Sequence, residues 1–156
     1  MKNIVMISIL ALAGSAFAAG KTYVQGSTGA EAGFVTHGQG NPWFSANLGI
    51  GAEKFLGDFD GRGEVMVDIR QGSFGMGFAA DLLYPFGKSD VKPYVGFGLE
   101  LGVGSGNPSV ALRGNFGADF EFTRTAAIFA ELQPKYTFGN FGGFDLGGRA
   151  GLKVFF

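Results

Sequence analysis

Leu112-Arg-Gly-Asn-Phe-Gly-Ala-Asp-Phe-Glu-Phe122 alternates with a period of two. Leu112, Phe116, Ala118, Phe120 and Phe122 fall on one face, and Arg113, Asn115, Asp119 and Glu121 on the other. Successive side chains of a strand point to opposite sides, so this is a strand with one apolar and one polar side. The two stretches that follow repeat the pattern. Ile128, Ala130, Leu132, Pro134, Tyr136 and Phe138 oppose Glu131, Gln133 and Lys135; Leu146, Ala150, Leu152, Val154 and Phe156 oppose Asp145, Arg149 and Lys153. Working back toward the N-terminus, breaks rich in Gly, Asn, Asp, Pro and Ser recur at nearly even intervals, among them Gly57-Asp58-Phe59-Asp60, Gly87-Lys88-Ser89-Asp90, Ser105-Gly106-Asn107-Pro108 and Gly139-Asn140-Phe141-Gly142. They delimit eight strands: Thr22–Gly33, Trp43–Phe55, Gly61–Arg70, Phe74–Phe86, Pro93–Val103, Val110–Phe122, Ala126–Phe138 and Phe144–Phe156. The expected fold is all-β, an eight-stranded antiparallel up-and-down transmembrane β-barrel, with both chain ends on the periplasmic side. Pro134, in mid-strand, is expected to mark a bulge.

Charge placement follows the same register. The polar face collects Glu31 and Arg62 together with fourteen residues singled out as a lumen charge network: Glu53, Glu64, Asp68, Arg70, Asp81, Glu100, Arg113, Asp119, Glu121, Glu131, Lys135, Asp145, Arg149 and Lys153. Lys21, Lys54, Asp58, Asp60, Lys88, Asp90, Lys92 and Arg124 fall at turns or strand ends. A charge facing lipid at the bilayer midplane costs about 2–4 kcal/mol, so keeping mid-strand charges off the apolar face is what a lipid-facing wall demands.

Alternation alone does not say which face is inside, because a soluble lipocalin-like ligand carrier has the opposite polarity. The apolar face is too bulky for a narrow bore. The polar face interleaves its charges with Gly49, Gly51, Gly77, Gly96, Gly98, Gly102, Gly117 and Gly147, which leaves room for a few long side chains. Aromatics gather at strand ends, with Tyr23, Phe55, Tyr84, Phe86, Tyr94, Phe120, Phe122 and Phe156 toward one rim and Phe34, Trp43, Phe44, Phe74, Phe138, Phe141 and Phe144 toward the other. Two aromatic girdles around an aliphatic band place the polar face inside and the apolar face toward lipid.

The first eighteen residues read as a cleaved signal peptide, with Lys2, an apolar run from Ile4 to Ala13 and an Ala16-Phe17-Ala18 cleavage site. The apolar run is too short to span a bilayer, which takes roughly 20 residues. Residues 19–156 form the barrel domain and, without Lys2, carry 11 basic and 13 acidic residues, a net charge of −2. Such a chain does not attract nucleic acid. With no Cys in 156 residues, disulfides and thiolate chemistry are excluded.

The C-terminal stretch Arg149-Ala-Gly-Leu-Lys-Val-Phe-Phe156 resembles the outer-membrane assembly signal, in Arg149, Gly151, Val154 and the terminal aromatic Phe156. The chain from residue 19 resembles, by architecture, the OmpA/OmpX-type small eight-stranded outer-membrane barrels. That resemblance implies location in the bacterial outer membrane, contact with its lipids, insertion by the barrel-assembly machinery and possible envelope protein partners. The peptidoglycan-binding domain that follows the barrel in OmpA is not expected here. It does not imply an activity, since the class includes structural proteins, adhesins, small pores and a few lipid-modifying enzymes.

Some barrel enzymes use a His with a Ser and an acid near the outer rim, so His37 with Ser45 is the one constellation to weigh. The outward loops contain no Asp or Glu to complete it. No catalytic, cofactor-binding or metal site is expected, because a lone His makes no transition-metal site. Gly102-Val-Gly104 carries no phosphate-loop meaning without a helix after it. The lumen charges either interlock as a plug or line a narrow pore, and an eight-stranded bore is just wide enough for side chains to fill. The expected role is structural, in envelope integrity, with a narrow ion or solute pore as the alternative. An adhesin or binding module would need larger outward loops than the longest here, Phe34–Pro42.

Protein extracted from membranes is expected to begin near Ala19. Intact-mass measurement checks this, and a retained N-terminal segment would contradict it.

Overall fold

The computed structural model describes residues 20–33, 43–70, 73–87, 89–104, 108–139 and 142–156. Residues 1–18 and the loop carrying His37 lie outside them, as do Lys88 and the side chain of Arg70. The eight strands match the alternation closely: β1 (Thr22–Gly33), β2 (Trp43–Leu56), β3 (Phe59–Arg70), β4 (Ser73–Pro85), β5 (Val91–Gly104), β6 (Ser109–Thr123), β7 (Ala126–Thr137) and β8 (Gly143–Phe155). Each pairs antiparallel with the next, and β8 pairs back onto β1 to close the barrel. Closure leaves no unpaired strand edge.

The register sets the width. From Gly33 the paired positions run through Asp145, Lys135, Arg113, Gly98, Asp81, Arg62 and Gly51 to Tyr23, ten residues from the start on the same strand. With strands about 4.8 Å apart and rising about 3.3 Å per residue, that stagger gives a tilt of about 40° and a backbone radius of about 8 Å. A bore of that width holds side chains and little else.

The polarity is inverted relative to a water-soluble core. Leu48 is 73 % and Phe44 65 % exposed on the outer wall, whereas Arg113 is 2 % exposed inside. Of the sixteen polar-face charges, eleven are buried, and Glu53, Asp68, Asp119 and Glu121 are half-buried.

Three expectations need correction. Pro134 makes no bulge: β6 and β7 keep one register on either side of it, between Arg113↔Lys135 and Phe116↔Leu132. Gly114 accommodates it, since a Cβ there would lie 3.1 Å from the proline ring. The register shifts lie instead between Ala52 and Leu56 in β2 and between Glu121 and Thr123 in β6, both beside tight turns at the terminal rim. Tyr23, Tyr94 and Trp43 do not belong to the girdles; all three are buried in the lumen. Phe59 and Asp60 belong to β3, leaving Gly57-Asp58 as a two-residue turn.

Lumen glycines make space for the side chains of neighbouring strands. A Cβ on Gly98 would fall 1.9 Å from Asp81 Oδ1, and one on Gly51 would fall 2.2 Å from the Tyr23 ring. Gly26, on the outer wall, would meet only Leu48 Cδ2 at 3.7 Å. Gly98→Ala is therefore expected to lower stability by about 1–3 kcal/mol through overpacking, and Gly26→Ala to be neutral or slightly stabilising. Urea unfolding in detergent or lipid measures both; equal effects would contradict the crowding.

Candidate functional site

Six charged side chains from five strands meet at mid-bore. Arg62 and Glu64 come from β3, Asp81 from β4, Arg113 from β6, Glu131 from β7 and Arg149 from β8. Arg62 donates from Nε to Asp81 Oδ2 at 2.8 Å and from Nη1 to Glu131 Oε2 at 2.8 Å. Arg113 donates from Nε to Asp81 Oδ1 at 2.7 Å and also bonds Glu64. Arg149 donates from Nη1 to Glu64 Oε1 at 2.8 Å and from Nε to Glu131 Oε1 at 2.9 Å. Each arginine thus bridges two carboxylates and each carboxylate two arginines, in a closed ring of zero net charge.

Such a ring suits the chemistry of its members. A guanidinium is a rigid planar fork that can serve two carboxylates at once, which an ammonium on a flexible stem does less well. The side chains of Arg62, Glu64, Asp81 and Glu131 have no exposed surface. Buried charges are tolerated when paired and fully hydrogen-bonded. Neutral neighbours supply further bonds. Gln25 donates to Glu64 at 2.5 Å, Tyr94 donates its O–H to Glu131 at 2.8 Å, and Asn115 donates to Asp81 at 3.2 Å while accepting from Arg62 and Gln133 at 3.0 Å each.

Smaller groups lie on either side of the ring. Toward the outer rim, Lys135 Nζ sits 2.7 Å from Glu31 and 3.1 Å from Glu100, with the Trp43 ring 5.8 Å away. Toward the terminal rim, Lys153 pairs with Asp119 at 2.7 Å. Its ammonium also lies 5.0 Å from the Tyr23 and Tyr94 ring centres and 5.3 Å from that of Phe129. Aromatic faces attract a cation, so these rings both hold Lys153 and fill the bore beneath the charge ring. Lys92 pairs with Glu121 at 2.5 Å at the rim itself.

The expected network is largely brought together. Glu64, Asp81, Arg113, Glu131 and Arg149 form the ring with Arg62; Glu100, Lys135, Asp119, Glu121 and Lys153 join the flanking pairs. Asp145 lies across from Lys135 in the β7–β8 register, and Asp68 across from Ser45 in β2–β3. Glu53, displaced by the β2 irregularity, makes no ion pair among the described residues. Arg62 and Glu31 belong in the network although the fourteen-residue set omits them. Within the assembly motif, Phe156 is 70 % exposed, while its backbone N–H donates to Thr22 O at 2.9 Å and ties the end of the chain to β1. Ser45 faces the lumen, and His37 lies outside the described residues. Among the described residues no group of three or more His, Cys, Asp or Glu is arranged to hold a metal ion.

Closed topology, an apolar outer wall and a charged, filled lumen define the fold of the small transmembrane β-barrels. The chain is similar in structure to Neisserial surface protein A, with a TM-score of 0.73 and 21 % identity over 86 % of this chain and 97 % of that one. It is also similar to the N-terminal β-barrel domain of Pseudomonas aeruginosa OprF, with a TM-score of 0.67 and 16 % identity over 88 % and 99 % of the two chains. A de novo designed transmembrane β-barrel superposes with a TM-score of 0.51 at 14 % identity, covering 88 % of this chain and 96 % of the design. At these identities the likeness is one of fold. No protein-family model and no curated protein matches the sequence.

Removing one arginine leaves two ring carboxylates short of a partner. Arg62→Ala and Arg113→Ala are each expected to cost about 3–5 kcal/mol, the usual penalty for breaking a buried pair from one side. Leu112→Ala on the outer wall should cost less than either. Unfolding midpoints in urea with lipid present provide the comparison, and arginine variants as stable as wild type would contradict the ring.

Proposed function

We propose that this protein is a structural component of the bacterial outer membrane: a barrel that crosses the bilayer with its bore shut, contributes to envelope integrity and performs no catalysis. The observation that carries this reading is the charge ring. Its six members turn toward one another, and the flanking aromatics and lysine pairs fill the bore on either side. The side chains of Arg62, Glu64, Asp81 and Glu131 have no exposed surface that a substrate could reach. The leader-like residues 1–18 and the C-terminal assembly motif support export and insertion by the barrel-assembly machinery. The apolar wall supports direct contact with membrane lipids, and through that wall with envelope protein partners.

A narrow pore would require a continuous water path where the ring now stands. The refolded protein in planar bilayers is therefore expected to show little or no steady conductance, and Arg113→Ala to raise it by opening one side of the ring. A steady wild-type conductance unchanged by Arg113→Ala would overturn the closed-bore reading and make the protein a pore.

A further inference from the structure

The outer wall is not uniformly bulky. Across β2 to β5 one row of outward positions runs Ile50, Gly63, Ala80, Leu99, so two small residues lie between two large ones. The next row toward the outer rim holds Leu48, Val65, Phe78 and Leu101 and ends the gap. The result is a notch of about 530 Å³, floored by Gly61, Gly63 and Ala80 and walled by Ile50, Phe55, Leu82, Phe97 and Leu99. Space over the floor is real: a Cβ added to Gly63 meets nothing within 4 Å.

The corner nearest the terminal rim is built by a strained piece of backbone. Lys54 has φ 53, the one described non-glycine residue with positive φ, and its N–H donates to Asp60 Oδ1 at 2.8 Å. This irregularity lies within the β2 register shift and brings Phe55 over Gly61, where an added Cβ would sit 2.7 Å from the ring. A non-glycine residue in that conformation is uncommon, which makes the spot a candidate for function. The same hairpin exposes Lys54 and Asp58, four residues apart, with the half-buried acids Glu53 and Asp60 beside Lys54.

We infer that this notch holds one acyl chain of a zwitterionic, amine-bearing phospholipid, with its phosphate at Lys54 and its ammonium at Asp58. The inference rests on the membrane-spanning reading above. An acyl chain is the occupant that fits: the notch opens on the lipid-facing wall and its walls are apolar side chains. The exposed Lys54 matches a phosphate and the exposed Asp58 an ammonium on the same headgroup, and the excess of acids on the hairpin (Glu53, Asp58, Asp60) disfavours a headgroup that carries only negative charge.

The test uses the full protein reconstituted into vesicles of phosphatidylethanolamine and phosphatidylglycerol, followed by release and native mass spectrometry. Co-flotation with the vesicles comes first; a chain that does not insert overturns the membrane reading itself. For inserted protein, one phosphatidylethanolamine is expected to be retained per barrel, in preference to phosphatidylglycerol. Gly63→Phe, which fills the notch, should weaken retention by about tenfold or more. Ala80→Leu fills the same floor and serves if Gly63→Phe does not fold. Lys54→Gln should reduce the headgroup preference while the barrel still forms. Inserted wild-type protein that retains no lipid, or filled-notch variants that retain it as wild type does, would overturn the inference. Equal retention of the two lipids would overturn the headgroup assignment. A dimer signal lost in Gly63→Phe would assign the notch to a second copy of the chain instead.

Discussion

Charges placed inside a bore about 8 Å in radius have almost no water left to solvate them, and each must find its counter-charge among the side chains pointing inward beside it. Three arginines and three carboxylates meet this condition here by forming a closed cycle. The stagger of ten residues carries β3 across the bore from β7 and β8, so that Arg62 reaches Glu131 and Arg149 reaches Glu64. Adjacent strands supply two further links, Arg62 with Asp81 and Arg149 with Glu131. Strand register and charge pairing thus specify each other: a slip of one residue in any of these strands would turn that strand's ring members toward the outer wall.

Volume is the second constraint and follows from the first. Several long lumen side chains take the space left by a glycine on one adjacent strand. Asp81 lies against Gly98, Tyr23 against Gly51, Tyr94 against Gly117 and Glu31 against Gly147. The abundance of glycine in the strands, which in another setting signals flexibility, serves dense packing here. The outer wall has no such limit: Phe, Leu, Ile and Val cover much of it, and small residues open recesses over Gly63 and Ala80 and over Gly26 and Ala46.

Much of this was legible from residue order. Period-two alternation in β6, β7 and β8 identified Arg113, Asp119, Glu131, Lys135, Arg149 and Lys153 as inward, and the interleaved glycines pointed to a tight interior. Tyr23, Tyr94 and Trp43 lie near strand ends, which suggests a girdle, but their parity places them inside. Tyr94 alternates with Gly96, Gly98 and Glu100, and Trp43 with Ser45 and Asn47, all on the inward face. Arg62 shares the polar register, and its place in the ring follows from its bonds to Asp81 and Glu131. The pairings themselves could not be read from periodicity, since Arg62 and Glu131 are 69 residues apart and meet only once the barrel closes with its particular stagger. Uncharged lumen groups such as Gln25, Asn115 and Gln133 carry no signal beyond parity, yet they complete the hydrogen bonding.

Six charges that act as one ring rather than as separate pairs are coupled even where two members do not touch, and a double-mutant cycle on such a pair tests this most directly. Arg113 and Glu131 are joined through Glu64 and Arg149 on one side and through Asp81 and Arg62 on the other. Removing both keeps the ring's charges balanced, so Arg113→Ala with Glu131→Ala should cost less than the sum of the single changes. The expected coupling in urea unfolding is about 1–3 kcal/mol, as found within connected networks. Additivity within about 0.5 kcal/mol would show independent pairs and contradict the ring.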